Sequence, residues 1–391
     1  MKESWEYKKL KEVGLTQTGT TPSKQIKSFY GGDIPFIRPA ELNIDHNGGI
    51  QYDSELKLTE EGALKSRIIK ANSVLMCCIG SVGKTGFTLN NVACNQQINT
   101  LTPYDNYNPR FVYYALISPN FQQGVIKIAN SAKATLPIIS KGKWEVLSIP
   151  VPPLSEQQTI VDYLDSAFAK IDAMKSYAEK ALNEAKALFQ ASLKEMLEPK
   201  EGWEEKYLKD IAEYSIGLTY KPTDVCDNGT IVLRSSNIQE GKLDLNDIVK
   251  VNTSIKEKLY VQCGDILMCS RNGSARLVGK VCIIPELKER MTYGTFMMVI
   301  RSAYNPLLYH FFDTDLFRRQ IKHGEANMIN QITRYMLDEV KLNLPPVTEQ
   351  QSIVDTLDSL KSKVDRLQAN YEKISHECDA LKQAILRQVF E

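Results

Sequence analysis

The sequence has no run of roughly eighteen apolar residues, which is the length that a membrane-spanning helix needs. Its start, Met1–Leu10, is charged and does not resemble a secretory signal peptide. The eight cysteines form neither a CxxC pair nor a Cys/His cluster, which argues against a zinc site and against a disulfide framework. We therefore expect a cytoplasmic protein with reduced thiols, no metal site and no membrane partner.

Motifs for catalysis are also missing. There is no GxSxG elbow and no HExxH, and Asn108-Pro109 and Asn305-Pro306 lack the second proline of a methyl-transfer motif. The segment CIGSVGKTG (Cys78–Gly86) ends like the phosphate-binding P-loop G-x-x-x-x-G-K-S/T, but Cys78 stands where the first glycine is required. A turn between strands explains this segment and the similar RNGSARLVGK (Arg271–Lys280) better, so we expect no catalytic residue.

The net charge of +1 favours no particular partner, but the charge is unevenly distributed. Residues 1–150 carry 17 Lys and Arg against 12 Asp and Glu, whereas residues 201–343 balance at 19 against 19. The stretches 151–200 and 344–391 each have 6 basic and 8 acidic residues. The chain therefore contains two large blocks, the first of them basic, and two short acidic stretches.

The two acidic stretches begin with almost the same sequence. VPPLSEQQTIVDYLDSAFAKIDAM (Val151–Met174) returns as LPPVTEQQSIVDTLDSLKSKVDRL (Leu344–Leu367), with 13 of 24 positions identical. Similar composition alone does not produce the shared pattern PP-x-x-EQQ-x-IVD-x-LDS. Part of the protein is built twice.

Each repeated stretch has the features of a long helix. The paired prolines keep the incoming chain extended, and Ser155 with Gln158 and Thr348 with Gln351 are predicted to form capping boxes. Apolar residues then recur at steps of three and four, as in a coiled coil. The alternative is that each helix packs only on its own block. The predicted seam of the helix pair consists of Leu164, Ile171, Met174, Ala178, Ala181 and Leu188 with Leu357, Leu360, Val364, Leu367, Tyr371, Ile374 and Leu381.

The blocks between the helices repeat more faintly. Trp5-Glu6 corresponds to Trp203-Glu204, and VLMC (Val74–Cys77) corresponds to ILMC (Ile266–Cys269). Short strand-like patterns alternate with Gly-, Asn- and Pro-containing turns, which predicts mixed domains of strands and short helices. We expect an α+β protein with domains at 1–150 and 201–344, a central helix at 151–200 and a C-terminal helix at 345–391.

The sequence resembles the specificity subunits of Type I restriction–modification systems over essentially its whole length. The resemblance is carried by the two PP-x-x-EQQ-x-IV-x-x-LD helix starts, TGTTPS (Thr18–Ser23), YGGDIPFIRPAEL (Tyr30–Leu42) and VLRSSNIQEGKLD (Val232–Asp244). The doubled helix motif between divergent blocks is the most specific of these features. The second block departs from the first, because GLTYKP (Gly217–Pro222) replaces TPS and YGGDIP is missing.

The resemblance implies a non-catalytic, DNA-reading subunit with a pseudo-two-fold internal repeat. Two target-recognition domains would each bind one half of a split sequence in double-stranded DNA. The two helices would pair as an antiparallel coiled coil, set the spacer between the half-sites, and dock two modification subunits that methylate adenine. Restriction subunits, which act as motor and nuclease, would join this complex. S-adenosylmethionine would then belong to the modification subunits, and ATP and Mg²⁺ to the restriction subunits, with no cofactor in this chain.

Candidate DNA-binding residues follow from the chemistry of base and phosphate recognition. Forked Arg donors and the amides of Asn and Gln recognise base edges, while Lys, Ser and Thr hold phosphates. In the first block the candidates are Ser23, Lys24, Arg38, Ser81, Lys84, Asn95 and Gln96. In the second block they are Tyr220, Lys221, Arg234, Ser235, Asn237, Arg271, Asn272, Ser274, Arg276 and Lys280. An ordinary solvated surface is the alternative for each residue.

Two other functions are open at this point. One is a self-contained nuclease or nucleotide-hydrolysing enzyme that uses the loop around Lys84. The other is a coiled-coil adaptor that binds only proteins, which explains the helices but not two large blocks with paired Arg- and Asn-bearing loops.

Overall fold

The computed structural model describes residues 5–42, 54–131, 136–321 and 331–391. The chain forms two compact units. The first unit contains Met1–Lys180 and Asn370–Glu391, and the second contains Ala181–Ala369. This division differs from the four predicted domains, whose residue bounds stay a prediction.

The first unit contains ten strands, five short helices and the start of a long helix within the described ranges. The strands are β1 (Glu6–Lys9), β2 (Gly14–Thr18), β3 (Tyr30–Ile37), β4 (Lys57–Leu58), β5 (Ile68–Ile69), β6 (Ser73–Cys77), β7 (Thr85–Thr88), β8 (Val92–Cys94), β9 (Ile98–Pro103) and β10 (Ser148–Val151). The helices are α1 (Leu10–Val13), α2 (Glu60–Ala63), α3 (Pro109–Ile117), α4 (Pro119–Asn130), α5 (Lys141–Trp144) and the long α6 (Leu154–Met196), which continues into the second unit.

The second unit has a similar order of elements. Its strands are β11 (Glu204–Tyr207), β12 (Glu213–Ile216), β13 (Val225–Cys226), β14 (Thr230–Leu233), β15 (Ile238–Gln239), β16 (Lys242–Leu243), β17 (Val249–Val251), β18 (Ile266–Cys269), β19 (Val281–Ile283), β20 (Met291–Tyr293), β21 (Met297–Arg301) and β22 (Lys341–Leu344). Its helices are α7 (Leu208–Ile211), α8 (Asn305–Phe311), α9 (Asp315–Gln320), α10 (Arg334–Asp338) and the long α11 (Val347–Phe390), which continues into the first unit.

The two units share the strand order of their antiparallel sheet and one parallel strand pair. An antiparallel sheet of order β2-β9-β6-β7 in the first unit corresponds to β12-β21-β18-β19 in the second. Each unit also contains one parallel pair, β3 with β8 and β14 with β20. The pairs β1–β10 and β11–β22 join the start of each block to its end, directly before a long helix. The internal repeat seen in the sequence is therefore a repeat of topology.

The central strand of each antiparallel sheet is buried on both faces. In β6, Val74 and Met76 pack into the core that contains Trp144, whereas Leu75 and Cys77 face the opposite core. Successive side chains of a strand point to opposite faces, so an unbroken apolar run such as VLMC fits a strand covered on both sides. In β18, Ile266 and Met268 divide from Leu267 and Cys269 in the same way.

The two long helices pair with opposite direction, as the resemblance implied. In the first unit, Lys382 bonds to Asp172 and Lys175 Nζ donates to Asp379 Oδ1 at 3.3 Å. In the second unit, Lys186 Nζ donates to Gln368 Oε1 at 2.7 Å. Partners therefore come earlier in α11 as one moves along α6. The predicted α+β class and the antiparallel helix pair are confirmed.

The apolar seam of α6 was only half correctly predicted. Leu164 and Ile171 are buried and Ala178 is half-buried, as expected. The other three predicted seam residues are exposed, so their assignment was wrong: Met174, Ala181 and Leu188. The buried residues lie one position further on, at Phe168, Leu182 and Phe189. A heptad alternates steps of three and four, and from Leu164 the step of four reaches the larger apolar side chain.

In α11, Leu357 and Val364 are buried and Tyr371 is half-buried, as predicted. Leu360 and Ile374 are half-buried and pack on the cores of the second and the first unit, respectively. Leu367 and Leu381 are exposed, so their assignment to the seam was wrong. Polar residues, including Gln368 and Lys382, occupy the positions next to them and bond across to α6.

The predicted capping boxes are wrong. Helix α6 begins at Leu154 and α11 at Val347, so Ser155 and Thr348 lie inside the first turn. Gln158 Nε2 donates to Asp162 Oδ1 at 2.8 Å instead of returning to the start of the helix, and Gln351 makes the same bond to Asp355. The proline that precedes each helix supplies the first helical carbonyl acceptor.

Candidate DNA interface

Three loops meet at the same end of the antiparallel sheet in each unit. In the first unit they are the segment after β2, the β6–β7 turn and the turn before β9. Thr20 N donates to the Cys94 carbonyl at 2.9 Å, and Cys78 N donates to the Gln97 carbonyl at 2.7 Å. The strand register places these loops together, because β2 and β6 end where β9 begins.

The second unit repeats both of these backbone hydrogen bonds, so we call the three bonded loops of each unit its loop frame. Leu218 N donates to the Tyr293 carbonyl at 2.7 Å, and Ser270 N donates to the Phe296 carbonyl at 3.0 Å. The loops are the segment after β12, the β18–β19 turn and the turn before β21. The backbone is thus the same in both units while the side chains differ.

Several predicted DNA-binding residues lie exposed on these loops. In the first unit these are Ser23, Lys24, Ser81 and Gln96, and in the second they are Lys221, Arg271, Ser274 and Arg276, with Tyr220 half-buried. Gln96 Oε1 accepts a hydrogen bond from Thr21 Oγ1 at 2.5 Å, which joins two of the loops. Their exposure and convergence fit contact with an extended ligand, and the contacts themselves stay a prediction.

Lys84 and Lys280 have a structural role that the sequence did not show. Lys84 Nζ donates to the Pro39 carbonyl at 3.3 Å, and Lys280 Nζ donates to the Ile238 carbonyl at 2.6 Å. Each lysine follows a glycine with positive φ, Gly83 or Gly279, which closes the turn between two antiparallel strands. A P-loop joins a strand to a helix, so the hypothesis of a nucleotide site at Lys84 finds no support here.

Arg38 and Arg234 are paired with carboxylates. Arg38 Nε donates to Glu41 Oε1 at 2.9 Å, and its Nη2 makes a second contact with the same carboxylate. The hydrogen bond to Glu41 raises the pKa of the Arg38 guanidinium. Arg234 Nη2 lies 2.8 Å from Asp247 Oδ2. In both arginines part of the donor fork is already used by a carboxylate, which makes both weaker candidates than Arg271.

The amide candidates divide into buried and accessible groups. Asn237 is fully buried and donates to the carbonyls of Asp244 and Asp247, both at 2.8 Å. It therefore holds the turn after β14, and its assignment to DNA binding is corrected. Asn272 Nδ2 donates to Ser235 Oγ at 3.1 Å and links two loops of the second unit. Asn95 Nδ2 donates to Gln97 Oε1 at 2.9 Å inside its own turn.

The repeated EQQ sequence connects each block to its long helix, a role that sequence reasoning missed. Trp5 Nε1 donates to Glu156 Oε1 at 3.1 Å, and Trp203 Nε1 donates to Glu349 Oε2 at 3.4 Å. The first Gln of each copy, such as Gln157, donates to the carbonyl of the first proline at 2.8–2.9 Å. The repeated Trp and EQQ were both visible in the sequence, but only the fold shows that they meet.

The repeated LD sequence has a similar role with different partners. Asp165 accepts hydrogen bonds from Arg110 and Tyr114 of α3. Asp358, at the same place in the second copy, accepts from His310 Nε2 of α8 at 2.8 Å. The carboxylate is common to both copies, whereas the donor on the block has changed.

No cluster of His, Cys, Asp or Glu that could hold a metal ion occurs among residues 5–42, 54–131, 136–321 and 331–391. In the same ranges, no helix has the length and apolar character required to cross a bilayer.

Two α+β units built on the same antiparallel sheet, each with exposed polar loops at one sheet end and each joined to a long helix, define an internally duplicated binding protein. The chain belongs to the family described as the Type I restriction modification DNA specificity domain. The family model matches residues 2–183 and again 200–376, once for each repeat.

Curated relatives agree with this assignment. The chain is 34% identical over 134 residues to the Type I restriction enzyme HindI specificity subunit of Haemophilus influenzae, covering 34% of this chain and 28% of that protein. It is 24% identical over 402 residues to the EcoBI specificity subunit of Escherichia coli, covering 93% and 76%. Alignments with three such relatives span only 28%, 38% and 42% of the relatives' length.

The fold also matches a solved structure. A chain described under complex assembly and conformational transition of the type I R-M system superposes with a TM-score of 0.76 at 17% identity. The match covers 100% of this chain and 98% of that chain.

Proposed function

We propose that this chain is the DNA-specificity subunit of a Type I restriction–modification complex, in which each unit binds one half of a bipartite target. The observation that carries this is the common backbone frame with different loop side chains. Because the loops of both units have the same backbone arrangement, both units can approach the double helix in the same way. Different side chains on that frame give two different base sequences, because base edges in the major groove are distinguished by donor and acceptor pattern.

The long helices would act as the spacer. They run through both units, and their cross-contacts include charged and amide pairs as well as apolar residues. Polar contacts at coiled-coil positions fix register, because a shifted alignment leaves these groups unpaired. A fixed register is what a constant distance between half-sites requires.

Two modification subunits are the proposed protein partners, one for each unit. Met174 and Leu381 are exposed in the first unit, and the Lys175–Asp379 contact places them near each other across the helix pair. Leu188 and Leu367 occupy the equivalent positions in the second unit. Large exposed apolar side chains often mark protein interfaces, and the same pair occurring twice favours two copies of one partner.

The chain itself is proposed to be non-catalytic, with methylation carried out by the modification subunits after the target adenine leaves the base stack. Those subunits would supply S-adenosylmethionine, and the restriction subunits ATP and Mg²⁺. The stand-alone enzyme is not favoured, because Lys84 is tied to a backbone carbonyl in a strand turn. A protein-only adaptor leaves the converging polar loops of both units without a role.

The proposal is tested by sequencing methylated adenines in a strain that expresses this chain as its only specificity subunit. The expected result is one motif made of two short sequences separated by a constant gap. A single continuous motif would contradict the two-unit function, as would a methylation pattern that is unchanged when the gene for this chain is deleted.

A further inference from the structure

The turn before the last strand of the antiparallel sheet occupies the same place in both units. In the second unit Met297 N donates to the Gly294 carbonyl at 2.8 Å, and in the first unit Ile98 N donates to the Asn95 carbonyl at 3.2 Å. The residue before the strand, Phe296 or Gln97, has its carbonyl bonded to the backbone N–H of Ser270 or Cys78. Phe296 and Gln97 are therefore equivalent positions.

The carbonyl of Phe296 ties its turn to the start of the β18–β19 turn. Its carbonyl accepts from Ser270 N at 3.0 Å, from Arg271 N at 3.1 Å and from Ser270 Oγ at 3.0 Å. Phe296 is nevertheless 55% exposed, so much of this large apolar residue makes no contribution to the core. A rigid backbone with an exposed ring is suited to contact with a ligand rather than to folding.

Arg271 lies beside this ring, with the centre of its guanidinium 5.4 Å from the ring centroid. Among the described residues no carboxylate pairs with Arg271, in contrast to Arg38 with Glu41 and Arg234 with Asp247. Stacking on an aromatic face orients the planar guanidinium and leaves its N–H edge free to donate. The β18–β19 turn and the turn before β21 thus present one combined surface.

We propose that Phe296 and Arg271 form the base-distinguishing pair of the second unit. Arg271 donates to O6 and N7 of a guanine, and the Phe296 ring contacts the C5-methyl group of a neighbouring thymine, since these are the groups that the major groove presents to a forked donor and to an apolar side chain. This inference rests on the proposed function.

The first unit supports the assignment by contrast. At the same backbone position Gln97 forms an amide pair with Asn95, whose Oδ1 accepts from Gln97 N at 3.1 Å. Amides suit adenine, whereas an arginine stacked on a ring suits guanine and thymine. Gln97 and Phe296 therefore occupy the same backbone position but suit different bases, as two different half-sites require.

The experiment uses the complex with modification subunits and the target that its own methylation motif defines. One guanine at a time in the second half-site is replaced by 7-deazaguanine, which lacks N7, and one thymine at a time by uracil, which lacks the methyl group. We expect the wild-type complex to lose about tenfold in affinity at one guanine. In Arg271→Ala the replacement of that guanine has no further effect, and in Phe296→Ala the replacement of the neighbouring thymine has none.

Matched controls separate this pair from a general effect of charge or folding. Arg290 also stacks on a ring, 3.7 Å from the Tyr260 centroid, but pairs with Glu257 at the other end of β20. Arg290→Ala should leave every base preference unchanged, and Phe296→Tyr should keep the wild-type pattern because the ring remains. The pair is overturned if wild type, Arg271→Ala and Phe296→Ala are equally sensitive to the replaced bases, or if both variants lose equal affinity for unrelated DNA. Failure of the proposed function would differ, since the wild-type complex would then show no bipartite motif.

Discussion

His310 shows how a single residue can connect a block to the long helix that follows it. It is buried in α8 and bonded to Asp358, with Asp313 and Lys361 as further charged neighbours. Burial lowers the pKa of the imidazole below its ordinary value of 6.5, and the bond to Asp358 offsets only part of this effect. The neutral imidazole is therefore the form that the folded unit favours.

We expect the free energy of unfolding to fall as the pH drops below about 6.5. The unfolded state then binds a proton that the folded state still rejects, so the loss begins near the unfolded pKa and ends at the lower folded pKa. The slope from this group is at most about 1.4 kcal/mol per pH unit. Thermal unfolding of His310→Gln between pH 5 and 8 should lack this contribution.

Tyr114 provides the matched control, because it bonds to Asp165 at the corresponding place in the first unit. Burial raises the pKa of Tyr114 above its ordinary value of 10, far from this pH range. Tyr114→Phe should therefore keep the wild-type pH slope. A slope that is the same in His310→Gln and wild type would contradict the assignment.

At the residue scale, the sequence shows which loop side chains could bind DNA, but it does not show which of them already have a partner in the fold. Arg38, Arg234 and Arg271 look alike as loop arginines, and only the fold shows that two of them have carboxylate partners. Glu41 lies three residues from Arg38, and that pair could have been suspected. Asp247 is far enough from Arg234 that a turn must form before the two meet.

At the scale of elements, the two long helices were predictable in extent but not in rotation. Prolines and the heptad pattern locate α6 and α11, yet alanine-rich stretches such as Ala178–Ala185 give almost no signal for the side that is buried. Lys175 is half-buried at a seam position, where its bond to Asp379 satisfies the charge. A polar residue at such a position removes the apolar signal on which the seam prediction depends.

Leu182 and Leu188 offer a direct test of the observed rotation, since both lie in α6 within the second unit. Leu182 is 4% exposed and Leu188 is 65% exposed. Leu182→Ala should lower the free energy of unfolding by about 2–4 kcal/mol through lost burial and a cavity. Leu188→Ala should change it by less than about 0.5 kcal/mol. Urea unfolding of both variants measures the difference, and equal costs would favour the rotation predicted from sequence.

At the scale of the whole molecule, the duplication predicts how many partners bind. Met174→Glu with Leu381→Glu places charge on the exposed apolar pair of the first unit, and Leu188→Glu with Leu367→Glu does so in the second. Because a desolvated, unpaired carboxylate opposes association, each double variant should bind one modification subunit where the wild type binds two.

Native mass measurement of co-expressed subunits gives the stoichiometry directly. Leu89→Glu, an exposed leucine after β7, is the control and should keep two modification subunits. Two bound subunits in both double variants would exclude these apolar pairs as docking sites.

The proposed spacer can be tested by lengthening both helices together. Seven residues are inserted after Lys180 in α6 and seven after Ala369 in α11, where the two units divide. This keeps the heptad register and adds roughly 10 Å of helix. We expect a gap longer by about one to three base pairs at 3.4 Å per pair, with both half-sites unchanged.

Methylome sequencing of a strain with the lengthened chain measures the gap. Inserting seven residues in α6 alone is the matched variant, and it should abolish or weaken methylation because the cross-contacts lose their partners. An active double insertion that keeps the original gap would rule out the spacer role.

The first unit contains the beginning and the end of the described chain on one core. The rings of Trp5 and Phe390 both contact Phe111, at centroid distances of 6.4 and 5.5 Å. In the second unit, the segment after α6 connects Leu197 to Trp203 through the chain itself, and both residues pack on the same core. Leu197 and Trp203 of the second unit therefore correspond to Phe390 and Trp5 of the first, and in the second unit the chain runs directly from one to the other.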